Sequence, residues 1–425
     1  MSETEIASKV PAGASAGVCL AWLILNSPQW VHRRVEALRM GENGRSRWHI
    51  SHDLTVPAEF SIPGSKNRMV VPLGSLRKGA LKNVDTSGAG STSLSILGAA
   101  DNGDYAVAML LMMAESLLGP EIAGASQCSE VLTNMVRATA GGEEEAKLEF
   151  TRWLAGSVAS LDPRSKGSGF EQRLDFFQEF ASQFAATFLL LIEIDASLAG
   201  TRCVIKYSRD DAAPERLDAA SQQLAWEIPD YGFARSYHLE VQVPPGLVYT
   251  ELEILELDSN GELSSRVVDA PHRPQVLAHV ACTPHERMAS AVAGLTLSPA
   301  KQGQYQVAGF SAVTVFVMSV LAWLSSLMPG AFTAGDSGPA SAAVSLLLTG
   351  PALLLSWFSR SPEHEVIAWI MRPYRRMLLL SVVALFMMAA AAAFPLVSPV
   401  KELVWFPVLF VQSWALGLFL HQRAS

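Results

Sequence analysis

Hydrophobic and polar residues alternate in several stretches of this 425-residue chain, and the alternation predicts strands. Trp48, Ile50, Leu54 and Val56 fall on one face, with Arg47, His49, Ser51 and Asp53 on the other. Tyr237, Leu239, Val241 and Val243 repeat the pattern opposite His238, Glu240 and Gln242, and Pro244-Pro245-Gly246 then turns the chain into 247–257. Asp258 to Gly261 marks a second turn, and further strands are predicted over 68–76, 188–195, 202–208, 275–282 and 288–297. Helical spacing takes over between these groups. Asp104 reads as the N-cap of a helix that ends at Gly119-Pro120, and helices over 121–138 and 143–160 follow. Phe170, Leu174, Phe177, Ala181 and Phe184 form a helical stripe of the kind that faces a core.

The last third of the chain changes character. Four windows, 307–328, 340–358, 377–397 and 403–420, contain no Asp, Glu, Lys or Arg. Each approaches the roughly 20 apolar residues that a helix needs to cross a hydrocarbon core of about 30 Å. They predict a four-helix transmembrane bundle, with Gly350-Pro351 kinking the second helix. Arg360, Arg372, Arg375 and Arg376 lie between the second and third windows, whereas 329–339 has no basic residue. The positive-inside rule then predicts a multi-pass protein of the cell membrane, its N-terminal region and C-terminus both cytoplasmic. Ala12 to Leu25 is an apolar run of signal-peptide length, but Glu3 and Glu5 precede it and Arg33-Arg34 follow it. That charge order favours a packed N-terminal helix over a leader.

The predicted fold is therefore an α+β region, a β-sandwich or open sheet with an inserted helical subdomain, followed by the α-helical bundle. The expected parts are a helical segment over 1–45, β-rich sequence over 46–103 and 187–300, a helical subdomain over 104–186, and the four spans within 307–420. Charge narrows the partners. The first 306 residues carry 26 basic and 36 acidic side chains. A surface so acidic repels phosphates, which argues against nucleic acid. Cys19, Cys128, Cys203 and Cys282 are widely separated without a C-x-x-C pair, and read as small buried apolar groups.

Candidate chemistry is sparse. Gly13-Ala-Ser15-Ala-Gly17 matches the G-x-S-x-G elbow of a serine nucleophile, but twelve largely polar residues precede it where the elbow requires a buried strand. His49 and His52 would point to opposite faces of a strand and so make no paired metal site. His272, His279, Cys282 and His285 form the densest nitrogen and sulfur cluster, with a spacing unlike a closed zinc finger. Glu193 and Asp195 share a strand face as possible paired acids, and Glu143-Glu144-Glu145 suits the first turn of a helix. The chain lacks the glycine-rich phosphate-binding patterns of P-loops and dinucleotide folds. These readings nominate no catalytic, cofactor or metal residue.

The segments Val71 to Asp85 and Ser236 to Leu247, followed by a strand leading into four apolar helices, resemble a group of bacterial, actinobacterial-type membrane proteins with a soluble region ahead of a C-terminal helical bundle. The resemblance implies this architecture and no activity. The function expected is that of a membrane-anchored, non-enzymatic protein whose cytoplasmic region binds a partner or ligand, with the helices as anchor or responder. Its rival is a pore-forming effector, and a membrane-bound hydrolase stands behind both. The expected partners are the lipid bilayer, a protein that docks on the soluble region, and a second copy through the helices. Small residues such as Ala340, Ser341, Ala389 and Ala391 would permit that close packing.

Overall fold

Two-residue alternation becomes buried sheet faces in the computed structural model. It describes residues 15–41, 45–79, 82–88, 92–139, 141–212, 214–218, 222–257, 263–273, 275–285, 290–300, 304–326, 349, 365–393, 405–414 and 416–417. The first helix, α1 (Ala16–Leu25), and a short α2 (Ser27–Trp30) lead into β1 (Val31–Met40), so the N-terminal segment is only partly helical. Next comes β2 (Arg45–Thr55), which buries Trp48, Ile50, His52 and Leu54 on one face. The chain continues through β3 (Ile62–Pro63), β4 (Arg68–Arg77), β5 (Lys82–Ser87) and β6 (Ser95–Ile96).

Helices occupy residues 99–186. The first, α3 (Ala99–Leu118), starts five residues before the predicted Asp104 cap. Gly98 is its N-cap, and its carbonyl accepts the Asn102 amide at 2.9 Å, while Asp104 pairs with Arg137 instead. The predicted helix 121–138 is broken at Gly124-Ala125 into α4 (Pro120–Ala123) and α5 (Ser126–Val136). Next are α6 (Glu143–Ser160) and α7 (Phe170–Ala186), whose Phe170, Phe177, Ala181 and Phe184 are buried. The remaining strands are β7 (Thr187–Asp195), β8 (Arg202–Ala212), β9 (Glu215–Asp218), β10 (Gln223–Ile228), β11 (Tyr237–Gln242), β12 (Leu247–Leu257), β13 (Leu263–Asp269), β14 (Leu277–Cys282) and β15 (Ser290–Pro299). The predicted turn at 258–261 lies outside the described residues.

The strands assemble into three sheets rather than the one sandwich or open sheet expected. A six-stranded sheet has the order β14-β11-β1-β2-β8-β5, a five-stranded sheet β13-β12-β15-β10-β9, and a four-stranded sheet β3-β4-β7-β6. All described pairings are antiparallel except β1 with β11, two strands nearly two hundred residues apart. One continuous apolar core joins all three sheets and the helices of 99–186. All four cysteines are free, and only Cys282 is more than marginally exposed.

The C-terminal part corrects the sequence reading. Among the described residues no helix is long and apolar enough to cross a membrane. This overturns the four-helix transmembrane bundle, and with it the multi-pass membrane placement and the assignment of sides drawn from the arginines. The third window falls in α10 (Arg372–Ala393), whose first turns hold Arg372, Arg375 and Arg376. The uncharged run inside this helix, Met377 to Ala393, is seventeen residues and spans about 25 Å at 1.5 Å per residue, short of the roughly 30 Å required. The first window falls in α8 (Gln304–Ser326), which packs on α10 through Val315, Ala384, Leu385 and Met388. Apart from Thr349, the second window lies outside the described residues, and the fourth is described only over 405–414 and 416–417. A shorter helix, α9 (Glu365–Ile370), ties this part to the main core through Val366 and Ile370.

Gly17 shows how tightly the N-terminal helix is seated. A Cβ there would lie 2.5 Å from the Ala108 carbonyl oxygen of α3. Gly17→Ala is expected to lower the unfolding free energy by about 1–3 kcal/mol, because the helices must separate. Urea denaturation measures this, and an unchanged midpoint would show that α1 does not pack on α3 in solution.

Candidate functional site

The candidate residues read from the sequence disperse into structural roles. Ser15 is the exposed N-cap of α1, where its carbonyl accepts the Val18 and Cys19 amides and its side chain caps nothing. No strand-to-helix elbow forms among the described residues there. His49 and His52 do lie on opposite faces of β2: His49 is partly exposed, His52 fully buried. Glu193 accepts the Ser65 amide at 2.7 Å and its hydroxyl at 2.8 Å, bonds that hold its carboxyl below the usual range. Asp195 caps the following turn by accepting the Ser197 amide and hydroxyl. Both acids are thus anchors of local turns. Glu143 accepts the Gly141 amide and Glu144 pairs with Lys147.

The histidine and cysteine cluster also separates. His279 contacts His238 at 3.3 Å, His285 approaches Glu256 at 2.9 Å, and His272 is exposed. Cys282 points its thiol at the Tyr237 carbonyl. Among the described residues, no three His, Cys, Asp or Glu side chains are grouped to hold a metal ion.

A different set of polar residues converges. On the inward face of β1, Arg34 and Glu36 form a buried ion pair, each about 4% exposed. Arg34 stands opposite Tyr237 of β11 on one side and His52 of β2 on the other. Tyr237 donates its hydroxyl to Glu36 at 2.9 Å. Burial and the Glu36 charge lift the Tyr237 phenol well above its ordinary value, and the nearby Tyr207 phenol is pushed up to about 12, chiefly by burial. Burial is the largest single influence on Arg34 and opposes its charge, but the combined pull of Glu36, Tyr207, Asp230 and Tyr237 outweighs it and holds the guanidinium charged. The second arm of Arg34 donates to the Asp230 carbonyl at 2.8 Å.

Asp230 is in the left-handed conformation, φ 54° and ψ 36°, which aspartate tolerates better than most residues. Its carboxylate accepts both the amide and the hydroxyl of Ser75, the latter at 2.9 Å. Ser75 follows a bulge in β4 between Pro72 and Ser75. Gly74 in that bulge has φ 131°, and a Cβ there would meet the Asp230 carboxylate at 2.9 Å, so a glycine is required both for the backbone and for the close approach. Asp230 thus meets all three sheets. It follows β10, its carbonyl is held by β1, and its carboxylate is held by β4.

Above this junction lies a narrow cleft whose interior holds about 20 Å³, the room of one water-sized group, below an open mouth. Ile24, Pro72, Phe180, Phe184, Leu189 and Phe233 wall it, and Ser75, Asp230, Gln183 and Thr187 supply its polar groups. Phe180, Phe184 and Phe233 are nearly fully buried, whereas Gln183 is exposed at the rim. Behind Phe233, the His52 ring stacks on Tyr207 at 5.9 Å and meets Phe233 edge-on at 6.2 Å, with neither ring nitrogen hydrogen-bonded. The sequence reading passed over this site. Arg34 and Glu36 lie in the stretch 1–45 that the sequence reading assigned to a helical segment, so their sharing one strand face with Leu38 was not legible there.

Comparison with known proteins adds little to this geometry. No family model and no curated protein matches the chain. Among solved structures, the chain is similar to a candidate protease from Parabacteroides distasonis ATCC 8503, at 9% identity and a TM-score of 0.22. That match covers 86% of this chain and 59% of the other, so this chain spans less than two thirds of its neighbour's length. A likeness at that score carries no argument about chemistry.

Two predictions follow from the buried groups. Glu36→Leu leaves Arg34 buried without a carboxylate and is expected to cost about 3–5 kcal/mol. The double variant Arg34→Met/Glu36→Leu should recover most of that in urea unfolding, and an equal loss in both would assign the effect to shape rather than charge. His52 supplies a pH dependence. Burial and the Arg34 charge hold its imidazole well below the ordinary value of 6.5, so on acidification the unfolded chain takes up a proton that the folded chain refuses. Stability should therefore fall below about pH 6.5, by up to about 1.4 kcal/mol per pH unit. His52→Phe keeps the ring and should lose much of this slope between pH 7 and 5; His49 and His238, also held low, account for the remainder.

Proposed function

We propose that the chain is a non-enzymatic binding protein and that the cleft over Asp230 receives its ligand. The observation that carries this reading is a carboxylate fixed in advance at the polar side of an apolar concavity. Its backbone is held by Arg34, its oxygens by Ser75, and the approach is kept open by Gly74. Ligand sites are typically apolar hollows with a few fixed polar groups. A site whose polar group is already ordered avoids the entropic cost of ordering it on binding. The pore reading is not carried forward, since it depends on membrane spans that no described helix provides. Hydrolysis at Ser15 or Glu193 is not carried forward either: Ser15 is the N-cap of α1, and Glu193 is held by the amide and hydroxyl of Ser65 as the anchor of a local turn.

Gln183 provides the test, since its side chain is exposed beside the mouth. Gln183→Trp should cover the opening and leave the melting temperature close to that of the parent. Small aromatic compounds screened by saturation-transfer NMR should bind the parent protein and lose at least about tenfold in affinity with this variant, a loss of about 1.4 kcal/mol. Binding untouched by Gln183→Trp would place the ligand elsewhere and sink the reading.

A further inference from the structure

We infer that the ligand of this cleft is a small organic cation, an ammonium carried on an apolar stem; the inference rests on the cleft being the binding site. The argument begins with charge. Arg34 and Glu36 neutralise each other as a buried pair. Asp230 is the third formally charged side chain of the junction, and among the described residues no ion pair involves it. Arg34 is thus one guanidinium shared by the Glu36 and Asp230 carboxylates, which leaves an excess of negative charge beside the cleft.

Hydrogen bonding leaves room for a guest. A carboxylate offers about four acceptor positions, and Ser75 supplies two donors, one of them shared between both oxygens. The remaining capacity suits an N–H donor, and a charged donor gains more than a neutral one. The other walls define the rest of the molecule. Phe180, Phe184, Phe233, Ile24 and Leu189 present only hydrocarbon, so the group attached to the ammonium must be apolar. An anion would meet the Asp230 charge with no cation among the described lining residues to offset it.

Titration of the parent protein with three probes of matched size at pH 7 tests the inference. Phenethylamine carries the cation, 2-phenylethanol is its neutral counterpart, and phenylacetate is the anion. Phenethylamine should bind at least about tenfold more tightly than the alcohol, in line with a charge-assisted hydrogen bond, and phenylacetate should not bind. Asp230→Asn should bring the amine and the alcohol to equal affinity. If that variant fails to fold, the comparison of probes on the parent protein decides alone. A lysine side chain offers the same ammonium, so blocked Ala-Lys-Ala peptide distinguishes the sources. Weaker binding than phenethylamine assigns a free amine, and binding as tight or tighter assigns a protein side chain. Equal binding of amine and alcohol, both abolished by Gln183→Trp, would keep the cleft as the site and overturn the cation. Failure of all three probes to bind would overturn both.

Discussion

The buried pair of Arg34 with Glu36 is the interaction on which the arrangement of the three sheets turns. Two charges removed from water cost several kcal/mol each unless they are paired and fully hydrogen-bonded. Arg34 finds its carboxylate and carbonyl partners, although its Nε bonds to neither, only when β1 lies beside β11 in one register, because Glu36 needs the Tyr237 hydroxyl and Arg34 needs the Asp230 carbonyl. Hydrophobic burial alone would tolerate other registers that kept Leu38 and Leu239 inside. A charged pair with directional partners does not. The same demand holds Asp230 in its left-handed conformation, and that conformation sends the carboxylate to the bulge of β4. One residue thereby ties the six-stranded sheet to the five-stranded and four-stranded ones.

That construction also explains why the cleft lies where it does. Three sheets meeting at one turn cannot pack face to face at the point of contact, since each brings its own twist. The gap is flanked by α7 and the end of α1, whose large apolar side chains leave an interior of about 20 Å³ below its open mouth. The wall nearest the junction, Phe233, has the unpartnered His52 ring behind it. An unpaired buried imidazole is tolerated because it stays neutral beside Arg34, and it adds polar surface close to the cleft without adding charge.

The helices beyond residue 304 show what pattern reading weighs wrongly. Hydropathy counts residues without asking what each face touches. In α8 and α10, Ala312, Ser319, Ser381 and Ala384 are buried between helices, and both serine hydroxyls return their bonds to carbonyls of the preceding turn. Large side chains such as Phe310, Leu321 and Leu379 point outward. Arg372, Arg375 and Arg376 belong to the same helix as the apolar run and not to a loop before it.

Local chemistry in the chain determined much of the secondary structure. Alternation in β2 and β11 marked the buried faces, Gly119-Pro120 ended α3, and the phenylalanine stripe of α7 became core, because such signals act over a few residues and need no distant partner. The chain also argued against Ser15, which lacks a buried strand before it, and against the histidine cluster as a closed zinc site, whereas Glu193 and Asp195 stayed open as paired acids until the structure gave them to local turns. Only tertiary structure decided the site. Arg34, Ser75 and Asp230 are separated by 41 and 155 residues, and no periodicity links them. Their meeting depends on strand order and register, which follow from burying the whole apolar surface at once while pairing every buried charge. A carboxylate that reads as an ordinary turn residue in the sequence acquires its role from that global constraint.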